Sequence, residues 1–440
     1  MLLESTHHQS PAVSFREALL RGLAPDGGLY LPSAWPAVTL DDLRDWKALP
    51  FPELAIQLAG RMLADEFPAD VIEHLVRDAL DFPVRTIPVE SGRFVLELFH
   101  GPTLAFKDFG ARFLARFFSF VLGEQGRDAT ILVATSGDTG SAVAQGFFRV
   151  PRVRVVVLYP KGKVSPFQES QMATLGENVT AVRVAGTFDD CQRLVKTAFL
   201  DAGLSPRRLS SANSINIGRL LPQSFYYFAS YLSVAEKIGQ MVVFSVPTGN
   251  LGNLTAGIIA HRLGLPVSRF VAATNLNRVL PDYLETGTYR ARPSIATLSN
   301  AMDVGDPSNF ARLLELHDGS LQRIRRTIYS ASIDEDETRA TIRQVHERTG
   351  YVLDPHGAVG WAAADQFLSE SPKARESDGP KVITLATAHP AKFTDAIRET
   401  LGFAPPLPAE YADWRTRPLR AIDLERPTYT EFRELLVSRC

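Results

Sequence analysis

Cysteine is scarce. The 440 residues contain two, Cys191 and Cys440, too few and too far apart for a disulfide framework or a metal-binding spacing. A disulfide-stapled secreted module and a zinc-finger-type centre are thereby excluded, and a reducing compartment fits. An excess of charge of either sign is also missing: 47 Lys and Arg stand against 49 Asp and Glu, a formal net charge of −2. Such a chain has no general attraction to nucleic acid or to an anionic membrane, so any phosphate binding must be local. No run is long and apolar enough to span a bilayer. The N-terminal MLLESTHHQS lacks the basic-then-apolar pattern of a leader, and the expectation is a cytoplasmic protein. His7 and His8 are adjacent rather than one helical turn apart, so no metal is expected. No period of about 20–50 residues recurs, which excludes a solenoid or propeller.

What is present is ordinary globular material, 45 % hydrophobic and 22 % charged, in a length sufficient for two or three domains. Ser14 with Glu17 reads as a capping box opening the helix FREALLRGL, which stops at Gly22 before the turn PDGG and the strand-like LYLP. Short helices punctuated by proline continue to about residue 90. From residue 91 a strand, a glycine-rich or polar loop and a helix follow one another repeatedly: TILVAT then SGDTG, VRVVVLYP then KGKVSP, MVVFSVP then TGNLGN, KVITLAT then AHPAKF. Continuous Val/Ile/Leu runs bounded by such loops predict central parallel strands covered by helices on both faces, an α/β fold. The polar stretch 369–380 and the acidic 333–337 read as solvated loop or helix-start segments.

The stretch from Phe94 to Val121 organises the rest. A short strand is broken by His100, Gly101 and Pro102, and from Thr103 the period becomes helical, with Phe106, Phe109, Phe113, Leu114, Phe117, Phe118 and Val121 predicting one buried face. Lys107 falls in the first turn, where the helix dipole disfavours a cation. Burial would lower its pKa and free the amine to condense with an aldehyde. On this segment alone a snorkelling, solvated lysine is the commoner reading.

Loops at the carboxyl ends of parallel strands are where ligands bind. In TGNLGN, residues 248–253, Gly249 and Gly252 let the backbone curl its N–H groups inward at a helix start, a seat for one phosphate or simply a glycine-rich turn. In TSGDTG, Ser136 and Thr139 with the backbone of Gly137 to Gly140 can hold a carboxylate, or merely cap the helix. In SSANSINIGRLLPQSFYYF, Asn216, Arg219 and Gln223 are spaced to form a polar helical stripe, with Asn213 and Ser214 just before it. That inventory suits a second phosphate or an exposed face, and Pro222 would kink the helix. In ATAHPAKF, Thr387 can meet a ring nitrogen, while His389 and Lys392 are structural or line the site, structure being the favoured reading for both and less so for His389.

In order along the chain, GLAPDGGLYLP, FHGPTLAFKDFG, TSGDTGSAVAQGF, LYPKGKVSPFQ, GTFDDCQRLVK, NSINIGRLLPQ, PTGNLGNLTAG, SNAMDVGDPSNF and TAHPAKF together resemble the threonine synthase family. These are pyridoxal-phosphate enzymes of the tryptophan-synthase-β-like fold, PLP fold type II. The resemblance implies an N-terminal extension over 1–90, a cofactor-binding α/β domain from 91–125 plus 240–440, and a smaller mobile α/β domain over 126–239. It implies that Lys107 carries pyridoxal 5'-phosphate, and that Gly249, Asn250, Leu251, Gly252 and Asn253 hold the cofactor phosphate, Leu251 standing where phenylalanine is usual. Thr387 would meet the ring nitrogen, and Asp138 would lie near the phenolic oxygen. Thr135, Ser136, Gly137, Asp138 and Thr139 would hold the substrate carboxylate; Arg219, with Asn213, Ser214 and Asn216, the substrate phosphate; Lys163 is a weaker candidate for that anion. The implied reaction takes O-phospho-L-homoserine and water to L-threonine and phosphate, by elimination across Cβ and Cγ and addition of water at Cβ, in a monomer or homodimer. A phospho-lyase ending at 2-oxobutanoate, a serine or threonine dehydratase, and a non-catalytic pyridoxal-phosphate carrier are the competing readings.

Overall fold

The computed structural model describes residues 1–370 and 379–439; most of the polar stretch 369–380, and Cys440, lie outside the described residues. The N-terminal strands β1 (Leu2–Ser5), β2 (Val13–Ser14) and β3 (Tyr30–Pro32) form a small antiparallel sheet in the order β2-β1-β3. The larger sheet contains β4 (Arg85–Glu90), β5 (Arg93–Glu97), β10 (Val242–Pro247), β11 (Val267–Thr274), β12 (Ile328–Ser332) and β13 (Lys381–Ala386). Its order is β12-β11-β10-β13-β5-β4, parallel except for β4. The third sheet is wholly parallel, in the order β14-β8-β7-β6-β9. Its strands are β6 (Ala129–Ala134), β7 (Val153–Pro160), β8 (Val179–Val184), β9 (Leu209–Ser210) and β14 (Ile422–Leu424). Every residue of β10 is buried, as a strand covered on both faces requires.

Strand order reverses once in each parallel sheet. In the larger one, β10 leads outward to β11 and β12, while β13 and β5 lie on the other side, so the switch falls between β10 and β13. In the smaller one it falls between β6 and β9. Loops leaving neighbouring strands at such a point diverge and open a crevice. The four loops concerned are those after β10, β13, β6 and β9, the same four that the sequence marks out.

The helix Lys107–Glu124 is buried on more than the one face expected of it. Phe109, Phe113 and Phe117 are sealed, and so are Ala111, Leu114, Ala115 and Phe118. It begins at Lys107 rather than Thr103, because Asp108 turns back to accept from the Thr103 N–H at 2.8 Å and hydroxyl at 2.6 Å, closing the preceding turn. The N-terminal extension supplies its second covering. Phe117 stacks on Phe113 at 4.3 Å and meets the edges of Phe67 at 5.2 Å and Phe15 at 6.4 Å.

Three boundaries differ from the sequence reading. Residues 85–90 pair with β5 and so belong to the larger sheet, not to the extension. The helix Phe225–Val234 also packs there, through Tyr227 against Phe244 and Phe270. The chain beyond residue 420 leaves the larger domain: β14 pairs with β8, and Phe432 and Leu436 are buried with Cys191 and Leu194. An apolar surface on the smaller sheet is thus closed by the end of the chain, a long-range pairing with no local signature.

Phe117→Ala is expected to lower the unfolding free energy by about 3–5 kcal/mol, read from the shift in urea midpoint, because it opens a cavity where extension and central helix meet.

Candidate active site

Backbone pairing fixes Lys107 against the loop after β13. The Phe106 N–H donates to Thr387 O at 2.9 Å, the His389 N–H to Leu104 O at 3.0 Å, and Ala105 bridges Ala388. Lys107 is the first residue of its helix and is half-buried; its amine forms neither hydrogen bond nor ion pair among the described residues. Burial lowers its pKa to about 8, against the pull of Asp138 and with the push of Lys392 and Arg219. Thr387 is buried, and its hydroxyl is also without a partner among the described residues.

Asp138 opens the helix Asp138–Gly146 after β6. Its Oδ1 accepts from Lys392 Nζ at 2.5 Å and from Gln168 Nε2 at 2.9 Å. Against burial, the Lys392 and Lys107 cations, with hydrogen bonds from Lys392 and the neutral Gln168 amide, hold the carboxyl far below its usual range. Lys392, read from sequence as structural, is an active-site neighbour: its side chain is 0 % exposed, and it also donates to Thr103 O at 3.0 Å. A fully buried lysine cannot be told from a surface one in AHPAKF, since only the fold brings Asp138 to it. His389 is structural, its Nδ1 accepting from the Ala391 N–H at 3.1 Å and its ring on the edge of Phe99.

The loop 248–253 forms a cup. A Cβ on Gly249 would lie 2.6 Å from Met302 Cα, so no other residue fits there. Leu251 is held left-handed at φ 59°, a conformation that costs about 1 kcal/mol or more, with its carbonyl anchored by the Thr255 N–H and hydroxyl. Asn253 spends its side chain inside the loop, accepting from Thr248 Oγ1 at 2.8 Å and donating to Pro247 O at 2.9 Å. Asn250 donates to Ser214 Oγ at 2.6 Å. The backbone N–H groups of residues 249 to 253 have no partner among the described residues, at the start of the helix Gly252–Leu263. Five free donors at a helix N-terminus suit a phosphate.

In the loop after β6, Thr135 is internal: its hydroxyl accepts from the Gly137 and Gly140 N–H groups, both at 2.9 Å. Ser136 is exposed and Thr139 half-buried; neither hydroxyl, nor the N–H groups of Ser136, Asp138 and Thr139, has a partner among the described residues. The expected polar stripe 216–223 is not one helix. Pro222 lacks an N–H, and the chain runs as the short helix Ile217–Leu220, a 3₁₀ turn Leu221–Ser224 and then a new helix. Asn216 caps the first of these, its Oδ1 accepting from Gly218 N–H and its Nδ2 donating to Leu19 O. Arg219 is 2 % exposed, donates to Ala212 O at 2.6 Å and leaves Nε without a partner among the described residues. Its backbone presses on the Lys107 helix: a Cβ on Gly110 would lie 2.5 Å from Arg219 O. Gln223 donates to that same oxygen at 2.7 Å. Asn213 uses its backbone to accept from Asn216 N–H at 3.0 Å. Lys163 stands apart, exposed just past β7, with no side-chain partner among the described residues.

A lysine of lowered pKa, a cup of five N–H donors and a loop after β6 with further N–H groups unpartnered among the described residues are what a phosphorylated aldehyde cofactor requires, and these residues fit it. The family model described as pyridoxal-phosphate dependent enzyme matches residues 89–387. Models for the threonine synthase N terminus and C-terminal region match 3–80 and 357–435. The chain is 42 % identical to the threonine synthase of Escherichia coli over 425 residues, 96 % of each chain. It is similar to the crystal structure of a PLP-bound threonine synthase from Brucella melitensis, with TM-score 0.94 and 38 % identity over 100 % of this chain and 99 % of that one. The yeast threonine synthase structure gives TM-score 0.91 and 33 % identity over 100 % and 98 %. The chain belongs to the threonine synthase family of pyridoxal-phosphate-dependent lyases.

Because only the unprotonated amine attacks an aldehyde, apoprotein mixed with pyridoxal phosphate is expected to form its covalent link at a rate rising with pH through a midpoint near 8. In Lys392→Met, Asp138 loses its cation and turns to Lys107, so the midpoint moves up. Stopped-flow absorbance across pH checks both; an unmoved midpoint in the variant would show that the three groups are uncoupled.

Proposed function

We propose that the protein converts O-phospho-L-homoserine and water to L-threonine and phosphate. The observation that carries this is Arg219: a buried guanidinium whose Nε has no partner among the described residues, near enough to Lys107 to push its pKa down, is charge held ready for an anion other than the cofactor's. A serine or threonine dehydratase has no use for it.

Lys107 anchors the cofactor and serves as the base that takes a proton from substrate Cα and then one from Cβ; protons return at Cγ as phosphate leaves and at Cα once water has added at Cβ. The bound cofactor supplies an electron sink for the carbanions so formed. Thr387 offers its ring nitrogen a neutral hydroxyl, leaving that nitrogen uncharged. Residues 249 to 253 hold the cofactor phosphate through backbone N–H groups. Ser136 and Thr139, with the N–H groups of Ser136, Asp138 and Thr139, hold the substrate carboxylate, while Gly137 and Thr135 shape the loop. Arg219 holds the substrate phosphate together with Asn213 and Ser214; Asn216 contributes by fixing the turn. Asp138 stays ionised and orients the site through Lys392. Lys163, at the rim, joins only if the smaller sheet closes over the substrate.

The reading extends to a cytoplasmic monomer or homodimer. Supporting it, no described helix is long and apolar enough to cross a membrane, and burial pushes the Cys191 thiol up to about 12, which makes it inert.

Protein loaded with pyridoxal phosphate is expected to release phosphate from O-phospho-L-homoserine matched mole for mole by threonine. Phosphate matched by 2-oxobutanoate instead identifies a phospho-lyase. Arg219→Ala is expected to cut kcat/KM for the phosphorylated substrate by about 100-fold or more, on the scale of a lost charged hydrogen bond, while leaving the cofactor in place. Phosphate release unaffected by that change removes Arg219 from the site.

A further inference from the structure

Arg312 is the other large cation of the interior. It sits on the helix Phe310–Glu315, is 0 % exposed, and has no carboxylate near it; burial alone lowers its pKa to about 9. All its bonds go to neutral oxygens. Nε donates to Tyr30 O at 3.1 Å, Nη2 to Ile215 O at 2.6 Å, and Nη1 to Ser214 O at 3.3 Å and Asn309 Oδ1 at 2.8 Å. The contacts continue beyond it. Asn309 Nδ2 donates to Asn250 O at 3.1 Å, Asn250 Nδ2 to Ser214 Oγ at 2.6 Å, and the Ser308 N–H to Asn250 Oδ1 at 2.6 Å. Arg312, Asn309, Asn250 and Ser214 therefore close a ring of hydrogen bonds, with one member in the five-donor cup and another in the loop that precedes Arg219.

We propose that Arg312 is a positioning residue that locks the cofactor-phosphate cup to the substrate-anion loop, with the N-terminal extension, through Tyr30 O, as the fixed wall against which it is braced. A buried cation among neutral acceptors costs several kcal/mol that a hydrophobic residue would not. Its planar fork reaches three chain segments at once, which a lysine ammonium cannot do in fixed geometry. Bonds to a charged donor are also the strong ones, so the two anion seats share one rigid support. Sequence distance hides this arrangement: Tyr30, Ser214, Asn250 and Arg312 come from four separate stretches.

This rests on the proposed reading of the cup as the cofactor-phosphate seat, and the test separates the two. Apoprotein is titrated with pyridoxal phosphate and, in parallel, with pyridoxal, the same aldehyde without its phosphate; circular dichroism and thermal melting report the fold. In Arg312→Lys and in Asn309→Ala, affinity for pyridoxal phosphate is expected to fall about 10- to 100-fold, the scale of a lost hydrogen bond to a charged group, while affinity for pyridoxal changes less than about threefold. The phosphorus resonance of the bound cofactor is expected to broaden, and KM for O-phospho-L-homoserine to rise more than kcat falls. Equal losses for both aldehydes, or none for either, in folded Asn309→Ala overturn the proposal by making Arg312 a plain packing residue. Should Arg312→Lys fail to fold, Asn309→Ala alone decides, since it removes both ring bonds made by Asn309 and leaves the other three bonds of Arg312. If wild-type protein itself bound pyridoxal and pyridoxal phosphate equally, the reading of the cup would fail first, whatever the variants did.

Discussion

The ion pair between Lys392 and Asp138 is the constraint on which the site depends. Its two members come from different sheets, one from the loop after β13 and the other from the helix after β6. Fully removed from water, neither can be left alone: a lone buried charge costs several kcal/mol, and Lys392 is the largest of the influences that hold the Asp138 carboxyl below its usual range despite burial. Thr103 O extends the joint, accepting from Lys392 of one side and from Gln171 Nε2, at 3.2 Å, of the other. Polar contacts thus join the two sheets at Lys392, beside the apolar packing of the Lys107 helix on the helix after β6, where Phe118 meets the edge of Phe147.

The same pair sets the electrostatics at Lys107. Asp138 favours its protonated form, and Lys392 and Arg219 oppose it. Desolvation decides the balance, and the amine is poised near 8 rather than above 10. Asp108, next in sequence, takes no part in that contest directly. Burial lifts it to about 6 while Thr103 holds it in place, so it works as a brace for the helix start.

Elements with a strong local period were legible from sequence, and so were the loops that follow them. Alternation of buried strand and glycine loop marked β6, β7, β10 and β13, and Lys107 fell at the first residue of its helix. What escaped was whatever depends on distant pairing. Nothing in residues 85–90 says whether they end the extension or edge the larger sheet, and nothing near residue 422 announces β8 as a partner. Side-chain roles divided the same way. Backbone donors at 249–253 could be read from glycine spacing, because the chemistry belongs to the main chain. Thr135, Asn216 and Asn253 offered polar atoms to a ligand on paper. In the fold each spends them within its own turn, since unsatisfied N–H groups there are nearer than any substrate. Lys392 and Arg312 were invisible because a buried cation is defined by what surrounds it.

The buried charges around Lys107 favour an anionic ligand over a neutral one. Lys107, Lys392 and Arg219 stand near Asp108 and Asp138, while Arg312 has only neutral acceptors among the described residues. Arg219 and Arg312 have lowered pKa values from desolvation, the mark of cations that protein carboxylates have not satisfied. On the proposed reading, phosphate beside Arg219 supplies negative charge that the protein does not, inside a low-dielectric space where each unit counts for far more than in water. Under the proposed reading, a substrate with a hydroxyl in place of phosphate leaves the desolvated Arg219 as uncompensated as before, and discrimination against it needs no clash.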